Sequence, residues 1–496
     1  HVLWSGNTNP KSEKVQLPGS IGRRFDSGSA YTRAPMSVAP AFDSLDLKPA
    51  LLSNLVEIGY TEMTLVQARA LPEVLQRHDV IARARTGSGK TAAFGLGLLN
   101  DLDPALFRLQ ALVLCPTREL AEQVAREIRR LAQAIPNIKI LTLCGGAPIR
   151  AQNASLQHSP HIIVGTPGRV LKHLKQETVK LDGLRTLVLD EADRMLDMGF
   201  TDELDAILAF VPSDRQTLLF SATYPDAIAS MSERVQRNPV TIDVTGDEQA
   251  VRIEQHWCTV TRENRNDQLL RALNAWGGAL NLVFCNTRND CAEVAQFLQS
   301  REIPAAALHG DLHHSQRTQV LDRFANRSTS VLVASDVAAR GLDVDDVDAV
   351  FNYELPAQPE VYIHRIGRTG RAGKEGVAVS LVEPREVPRL IEIEDMLMDR
   401  TLCERTIPDT KQSADRLAAA MATIKISGGR KNKLRPGDLL GALTAAGGVP
   451  GDAVGSIDLF DTVSYVAVRN AQAKRAAQQL ANRPIKGRKY RARLLR

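Results

Sequence analysis

Short apolar runs alternate with stretches of helical spacing through most of this chain. Between about Phe42 and Val244 the runs are DVIA (79–82), ALVLCPT (111–117), IKILTLCGG (138–146), HIIVGTP (161–167), TLVLDEAD (186–193) and TLLFSAT (217–223). Each reads as a buried strand that closes in small or polar residues before a helix. Repeated strand–helix units predict a parallel sheet covered by helices on both faces. Such sheets gather their chemistry beyond the carboxyl ends of the strands. The pattern pauses at DVTGDEQAVRIEQ (243–255), which reads as a linker. It resumes with LNLVFCNTR (280–288), AAALHGD (305–311), SVLVASD (330–336), AVFNYELP (349–356) and GVAVSLVE (376–383), a second α/β domain. A helix near Glu386–Cys403 and a polar connector at Pro408–Gln412 follow. The remainder reads as strand (ATIKIS), helix (RPGDLLGALTAAGG), strand (GSIDLF), strand (VSYVAVR), helix (AQAKRAAQQLAN) and strand (YRARLLR).

Residues 1–35 are rich in Gly, Ser, Asn and Pro and show no period, so a disordered leader is expected there; the first Met is Met36. No run of about eighteen apolar residues occurs, so no membrane span is expected. The six cysteines, at 115, 144, 258, 285, 291 and 403, lack C-x-x-C spacing. That disfavours zinc and disulfides and suits a reducing cytoplasm. Net charge is only +5, but its distribution is uneven. Residues 421–496 carry 15 Lys and Arg against 4 Asp, whereas the rest of the chain holds 47 basic and 53 acidic residues. A positive surplus confined to a segment with hydrophobic periodicity is the footprint of a nucleic-acid module rather than of a solvated tail.

Two motifs carry phosphate chemistry. Ala84-Arg85-Thr86-Gly87-Ser88-Gly89-Lys90-Thr91 follows an apolar strand and opens a helix. Small residues let backbone N–H groups turn inward around phosphate oxygens, Lys90 reaches the β/γ-phosphates, and Thr91 offers a hydroxyl to Mg²⁺. Asp190-Glu191-Ala192-Asp193 closes a strand, where Asp190 can hold Mg²⁺ and Glu191 can orient the attacking water.

With these two motifs stand Gly59-Tyr60, Gln67, Pro116-Thr117-Arg118-Glu119-Leu120-Ala121, Gly145-Gly146, Thr166-Pro167-Gly168-Arg169 and Ser221-Ala222-Thr223. Asp336-Val337-Ala338-Ala339-Arg340-Gly341-Leu342-Asp343 and His364-Arg365-Ile366-Gly367-Arg368-Thr369-Gly370-Arg371 complete the series. In this order the set resembles the DEAD-box RNA helicase family across roughly residues 40–400. The resemblance implies an RNA-dependent ATP hydrolase with ATP and Mg²⁺ as cofactors and two RecA-like parallel-sheet domains in tandem. These would be residues 36–243 and 255–405, joined by 244–254. It further implies that Gln67 reads the adenine, that Asp343 faces the ribose or an arginine finger, and that Arg368 and Arg371 meet the γ-phosphate. Phe42 would stack on the base or simply fill the core. Ser221 and Thr223 would couple hydrolysis to strand separation. RNA contacts would come from Pro116, Thr117, Arg118, Gly146, Thr166, Gly168, Arg169, Arg288, Gly310 and Ser335, which suit sugar–phosphate binding without sequence readout. Leu65 stands where the family has Pro, Ser335 where it has Thr, and His314 where it has Gln three residues before Arg317, which puts a contact between the domains in question.

Residues 421–496, after a linker at 406–420, resemble an RNA-recognition-motif α+β fold of the DbpA type, which binds a hairpin of 23S ribosomal RNA in that subfamily. Stacking aromatics are sparse: Tyr465 remains and ATIKIS has none. Arg430, Lys431, Lys433 and Arg435 are therefore expected to act as a basic RNA-binding edge. The expected partners are 23S rRNA and pre-50S ribosomal particles, met by a monomer. A DNA helicase would share the phosphate loop but lack the Gln67 motif, and a non-enzymatic RNA clamp would not need Lys90, Glu191, Arg368 and Arg371 together.

Overall fold

The computed structural model describes residues 40–84, 87–224, 226–244, 253–339, 347–370, 375–397, 402–408 and 417–495. Arg85, Thr86, Asp343, Arg371, the leader and the side chain of His314 lie outside the described residues.

The first sheet has seven strands: β1 (Val80–Arg83), β2 (Ala111–Leu114), β3 (Ile140–Leu143), β4 (Ile162–Gly165), β5 (Thr186–Asp190), β6 (Gln216–Ser221) and β7 (Val240–Asp243). Their spatial order is β3-β4-β2-β5-β6-β1-β7, and all pairings are parallel. The second sheet repeats the plan with β8 (Ile253–Thr259), β9 (Asn281–Cys285), β10 (Ala305–Leu308), β11 (Val331–Ser335), β12 (Ala349–Asn352), β13 (Gly376–Val382) and β14 (Leu402–Glu404). Its order is β10-β11-β9-β12-β13-β8-β14. Central strands such as β2, β4, β5, β9 and β11 are buried along their whole length, which is why they read as unbroken apolar runs.

Helices cover both faces, and their apolar stripes explain their placement. Arg118–Leu131 buries Leu120, Ala121, Val124, Ala125, Ile128 and Leu131, a three-to-four-residue spacing that keeps one face on the sheet. Thr117 caps it, its Oγ1 accepting from Leu120 N at 3.3 Å.

The third unit is an antiparallel sheet of β15 (Met421–Ile426), β16 (Val454–Leu459), β17 (Ser464–Arg469) and β18 (Ala492–Leu494) in the order β16-β17-β15-β18. Helices Pro436–Thr444 and Ala473–Asn482 pack on one face of it, over Ala422, Ile424, Ile426, Val466 and Val468. The opposite face meets the second α/β unit. Thr423 Oγ1 accepts from Asn326 Nδ2 at 2.8 Å and bonds Ser328 Oγ at 2.6 Å, and Lys425 Nζ donates to Gln319 at 3.3 Å. Thr423 is fully buried and Tyr465 is 2% exposed, with Phe460 edge-on to it at 5.8 Å. The sheet face on which an RNA recognition motif stacks bases is therefore occupied by protein here. That is why it needs no row of aromatics.

The boundaries differ from expectation in two places. The segment read as a linker through 255 already contains the start of β8, since Ile253 pairs with Gly376. The stretch read as one helix to Cys403 is a helix at Val387–Leu397 and then β14, which pairs with β8. Both misreadings concern strands at or near a sheet edge, where polar residues interrupt the apolar signal. No helix among the described residues is long and apolar enough to cross a membrane.

Candidate nucleotide and RNA site

The loop after β1 turns through left-handed glycines, Gly87 at φ 85° and Gly89 at φ 96°. Gly89 leads into helix Lys90–Asp101, which no side chain caps, so its first amides are free of a capping partner. A Cβ on Gly89 would lie 2.5 Å from Gln67 Nε2 and 2.9 Å from Thr64 Oγ1, so glycine is required there by space as well as by φ. Lys90 is buried and its Nζ donates to Ala84 O at 3.0 Å.

Gln67 underpins this loop. Its Nε2 donates to Gly89 O at 3.2 Å while its Oε1 accepts from Thr64 N at 2.9 Å in a capping box. Gln67 is itself 1% exposed. Leu65 is simply the first residue of this helix, and the capping box closes the turn without a proline. Phe42 is 4% exposed and edge-on to Tyr60 at 6.1 Å.

Asp190 closes β5 at 3% exposure. Burial pushes its carboxyl up to about 7, Glu191 and Asp193 add to the rise, and Lys90 with the Glu191 amide opposes it. Glu191 follows in the left-handed region at φ 50°, a conformation costing about 1 kcal/mol for a residue with a Cβ. Asp193 accepts from both Thr223 N at 3.0 Å and Thr223 Oγ1 at 2.9 Å. Burial raises its pKa, but Lys90 and these two hydrogen bonds outweigh it and hold the group below its ordinary value. The end of β5 and the Ser221–Thr223 turn are thus one hydrogen-bonded unit. Ser221 is fully buried and its backbone oxygen accepts from Ala84 N at 3.1 Å.

The second sheet brings His364–Arg368 to the same place. His364 is pushed down to about 4 by burial and by Arg194, Arg368 and Lys90, with Asp193 opposing, so its neighbours come from both sheets. Arg368 is 6% exposed. Arg365 is held rigidly: Nε and Nη2 grip Asp336 at 2.6 and 2.7 Å, and Nη1 donates to Glu354 O at 2.7 Å. This fork fixes helix Pro359–Ile366, which presents His364 and leads to Arg368 just past its end.

The expected RNA residues from both sheets line one open cleft of about 520 Å³, including Pro116, Thr117, Arg118, Thr166, Gly168 and Arg169 from the first and Gly310 from the second. Gly145 lines it as well, and a Cβ on Gly146 would lie 2.0 Å from Arg118 Nη1, so the glycine pair is the bed on which Arg118 rests. Helices starting after Thr117, Thr166 and Thr287 follow β2, β4 and β9, which puts amide-rich helix starts at the strand ends. Arg288 is exposed and pairs with Asp311 at 2.9 Å, whereas Ser335 is buried at the end of β11. Across the cleft Arg317 Nε lies 2.6 Å from Glu119 Oε1, an ion-pair contact without good hydrogen-bond alignment, and its Nη2 donates to Ala338 O at 2.7 Å. The contact between the domains therefore stands on Arg317 itself.

A second cleft of about 690 Å³ shares Glu119 and Arg317 with the first and is lined by Arg126 and Arg129 on one side and Arg430 and Arg435 on the other. Arg430, Lys431, Lys433 and Arg435 are all exposed; Lys431 pairs with Asp461 at 3.2 Å, and Arg435 opens helix Pro436–Thr444.

Sequence reasoning passed over Arg365 and Gln152, whose partners lie far along the chain. The only available signal for Arg365 was its place inside HRIGRTGR.

Comparison with known proteins accords with this geometry. The DEAD/DEAH box helicase family matches residues 64–231, the helicase conserved C-terminal domain 264–373, and the DbpA RNA binding domain 423–494. The ATP-dependent RNA helicase DbpA of Escherichia coli is 53% identical over 92% of this chain and all of its own. The chain belongs to the DEAD-box RNA helicases. The DEAD-box helicase CshA of Geobacillus kaustophilus is 44% identical over 71% of this chain and 76% of its own. Among solved structures, Saccharomyces cerevisiae Dbp5 bound to RNA and ADP–BeF3 superposes with a TM-score of 0.69 at 32% identity, covering 75% of this chain and 97% of that one. This DEAD-box protein is an ATP-dependent RNA helicase, an ATP hydrolase of two RecA-like domains carrying a DbpA-type RNA-binding domain.

Proposed function

We infer that this helicase anchors to 23S ribosomal RNA through its C-terminal domain and unwinds short rRNA duplexes during assembly of the large ribosomal subunit. It would act in the cytoplasm as a monomer. The observation that carries this reading is the division of labour in the C-terminal domain. Its sheet face is committed to the second RecA-like domain, while Arg430, Lys431, Lys433 and Arg435 stay exposed beside a cleft continuous with the RNA track. The core cleft offers glycines, threonines and helix-start amides, which hold a backbone without reading bases. Choice of RNA then belongs to the basic edge.

In the reaction cycle, Lys90 and the helix-start amides neutralise phosphate oxygens. Asp190, buried with its carboxyl pushed up by that burial, and the Thr91 hydroxyl form a hard oxygen donor set that fits Mg²⁺. The ion would draw charge from the phosphates when bound. Glu191 orients the attacking water, and Arg368, joined by Arg371, stabilises charge on the γ-phosphate. The Asp193–Thr223 bonds tie the hydrolytic strand end to the Ser221–Thr223 turn, which supports a coupling role for that turn. ATPase stimulation by 23S rRNA against an unrelated RNA of equal length tests the reading. Strong preference for 23S rRNA is expected; equal stimulation would refute it.

A further inference from the structure

A network of buried polar groups sits behind the RNA cleft, outside the motifs, and centres on Gln152 in helix Ile149–Leu156. Gln152 is 7% exposed. Its Nε2 donates to Cys144 O at 3.0 Å, at the turn that leads into Gly145–Gly146. Its Oε1 accepts from Arg169 Nη1 and from His173 Nε2, the latter at 3.0 Å. Arg169 Nη1 also donates to Ala147 O at 3.0 Å, on the far side of the same glycines. The remaining guanidinium nitrogens of Arg169, a cleft-lining residue, make no hydrogen bond among the described residues.

The donor and acceptor directions are forced. A guanidinium can only donate and a carbonyl oxygen can only accept, so the Gln152 amide has one permitted orientation. Oε1 must face Arg169, and Nε2 must face Cys144 O. His173 therefore meets an acceptor and must carry its proton on Nε2. Its Nδ1 is then the acceptor for the Thr178 hydroxyl, 2.8 Å away, although that hydroxyl also lies 3.1 Å from His173 O. A neutral ring is consistent with its surroundings: His173 is fully buried, and burial, then the Arg169 and Lys172 charges, lower its pKa.

We propose that Gln152 is a positioning residue for RNA binding, locking Arg169 and the Cys144–Ala147 turn into a single RNA-facing unit, with His173 and Thr178 holding its amide in place. The proposal rests on the reading of Gly146 and Arg169 as RNA contacts. Gln152 touches no RNA itself; it sets the angle at which Arg169 leaves the helix. An arginine held at Nη1 by Ala147 O alone has more rotamers to lose on binding, and that entropy is spent in advance by the full network.

The test titrates a single-stranded oligouridine in the ATPase assay of the full chain, for wild type, Gln152→Met, Arg169→Ala and the double variant. Methionine keeps the volume and removes every polar contact. The half-saturating RNA concentration should rise about tenfold in Gln152→Met, as expected for one charge-assisted hydrogen bond. The rate at saturating RNA should stay within about twofold, since no group at the γ-phosphate has moved. The double variant should be no worse than Arg169→Ala alone. Wild-type RNA affinity in Gln152→Met, beside a weakened Arg169→Ala, would overturn the proposal, and so would independent, multiplying losses in the double variant. A normal Arg169→Ala would instead remove the RNA-contact reading beneath it. A measurement on the unaltered protein guards against a variant that fails to fold. Nitrogen-15 NMR should find His173 in the Nε2–H tautomer, and an Nδ1–H ring would contradict the amide orientation on which everything else depends.

Discussion

Replacing Thr423 by Val removes one hydroxyl from the seam between the second RecA-like domain and the C-terminal sheet while keeping shape and strand propensity. Thr423 Oγ1 accepts from Asn326 Nδ2 at 2.8 Å and is hydrogen-bonded to Ser328 Oγ at 2.6 Å, and Ser328 Oγ donates onward to Arg323 O at 3.0 Å. All of this is dry, with Thr423 at 0%, Ser328 at 7% and Asn326 at 9% exposure. Ser328 keeps its bond to Arg323 O, but the Asn326 amide loses its acceptor and stays buried. One stranded donor plus one lost bond costs about 2 kcal/mol, roughly a thirtyfold shift in docking equilibrium. The C-terminal domain should keep its own fold, because its core of Ile424, Ile426, Leu439, Val466 and Val468 lies on the other face. Hydrogen exchange should therefore speed up at residues 326–330 and at Met421, whose amide donates to Arg327 O, with the rest of β15 and helix Ala473–Asn482 unchanged. Fluorescence transfer between dyes on the second and third domains should fall. Unchanged exchange and unchanged transfer would refute the docking argument. Loss of the whole C-terminal fold would show that the seam is part of its core.

Four further outcomes follow from the site. Glu191→Gln should bind ATP yet lose nearly all turnover, whereas Lys90→Ala should weaken nucleotide binding itself; equilibrium binding and phosphate release separate the two. Asp190→Asn should abolish turnover and raise the thermal midpoint of nucleotide-free protein at pH 8. A carboxyl whose folded pKa is raised to about 7 loses stability as pH rises between its ordinary value near 4 and 7, so the gain should vanish near pH 4. Removing residues 421–496 should leave a weak ATPase without preference for 23S rRNA, and retained preference in the truncated core would contradict the basic-edge assignment. Truncation to Met36 should leave RNA-stimulated ATPase intact, as kinetic comparison with the full chain will reveal.

The phosphate-loop and Asp190–Asp193 motifs stood out because their residues are local in sequence. Gly87–Thr91 must be contiguous to wrap a phosphate, and Asp190–Asp193 must follow a buried strand. The expected RNA contacts were read as a series of strand ends, and one cleft gathers most of them. What escaped shares one property, contact over long separations with no spacing rule. Gln152 meets Arg169 and His173 through tertiary packing, and Arg365 finds Asp336 across the sheet. The burial of Tyr465 depended on a neighbouring domain that no pattern within β17 encodes. Strands β7, β8 and β14 mix polar and apolar residues, so their period was weak.

Strand β15 has both of its faces spoken for. Ala422, Ile424 and Ile426 belong to the C-terminal core, while Thr423 and Lys425 belong to the helicase next door. Grafting residues 421–495 onto another helicase would therefore carry half an interface with them and leave its polar knot without a counterpart. The transplantable module is larger than the RNA-binding fold: it includes Gln319 and the Arg323–Ser330 turn, and any lineage that altered one side of that seam would have had to alter the other in step.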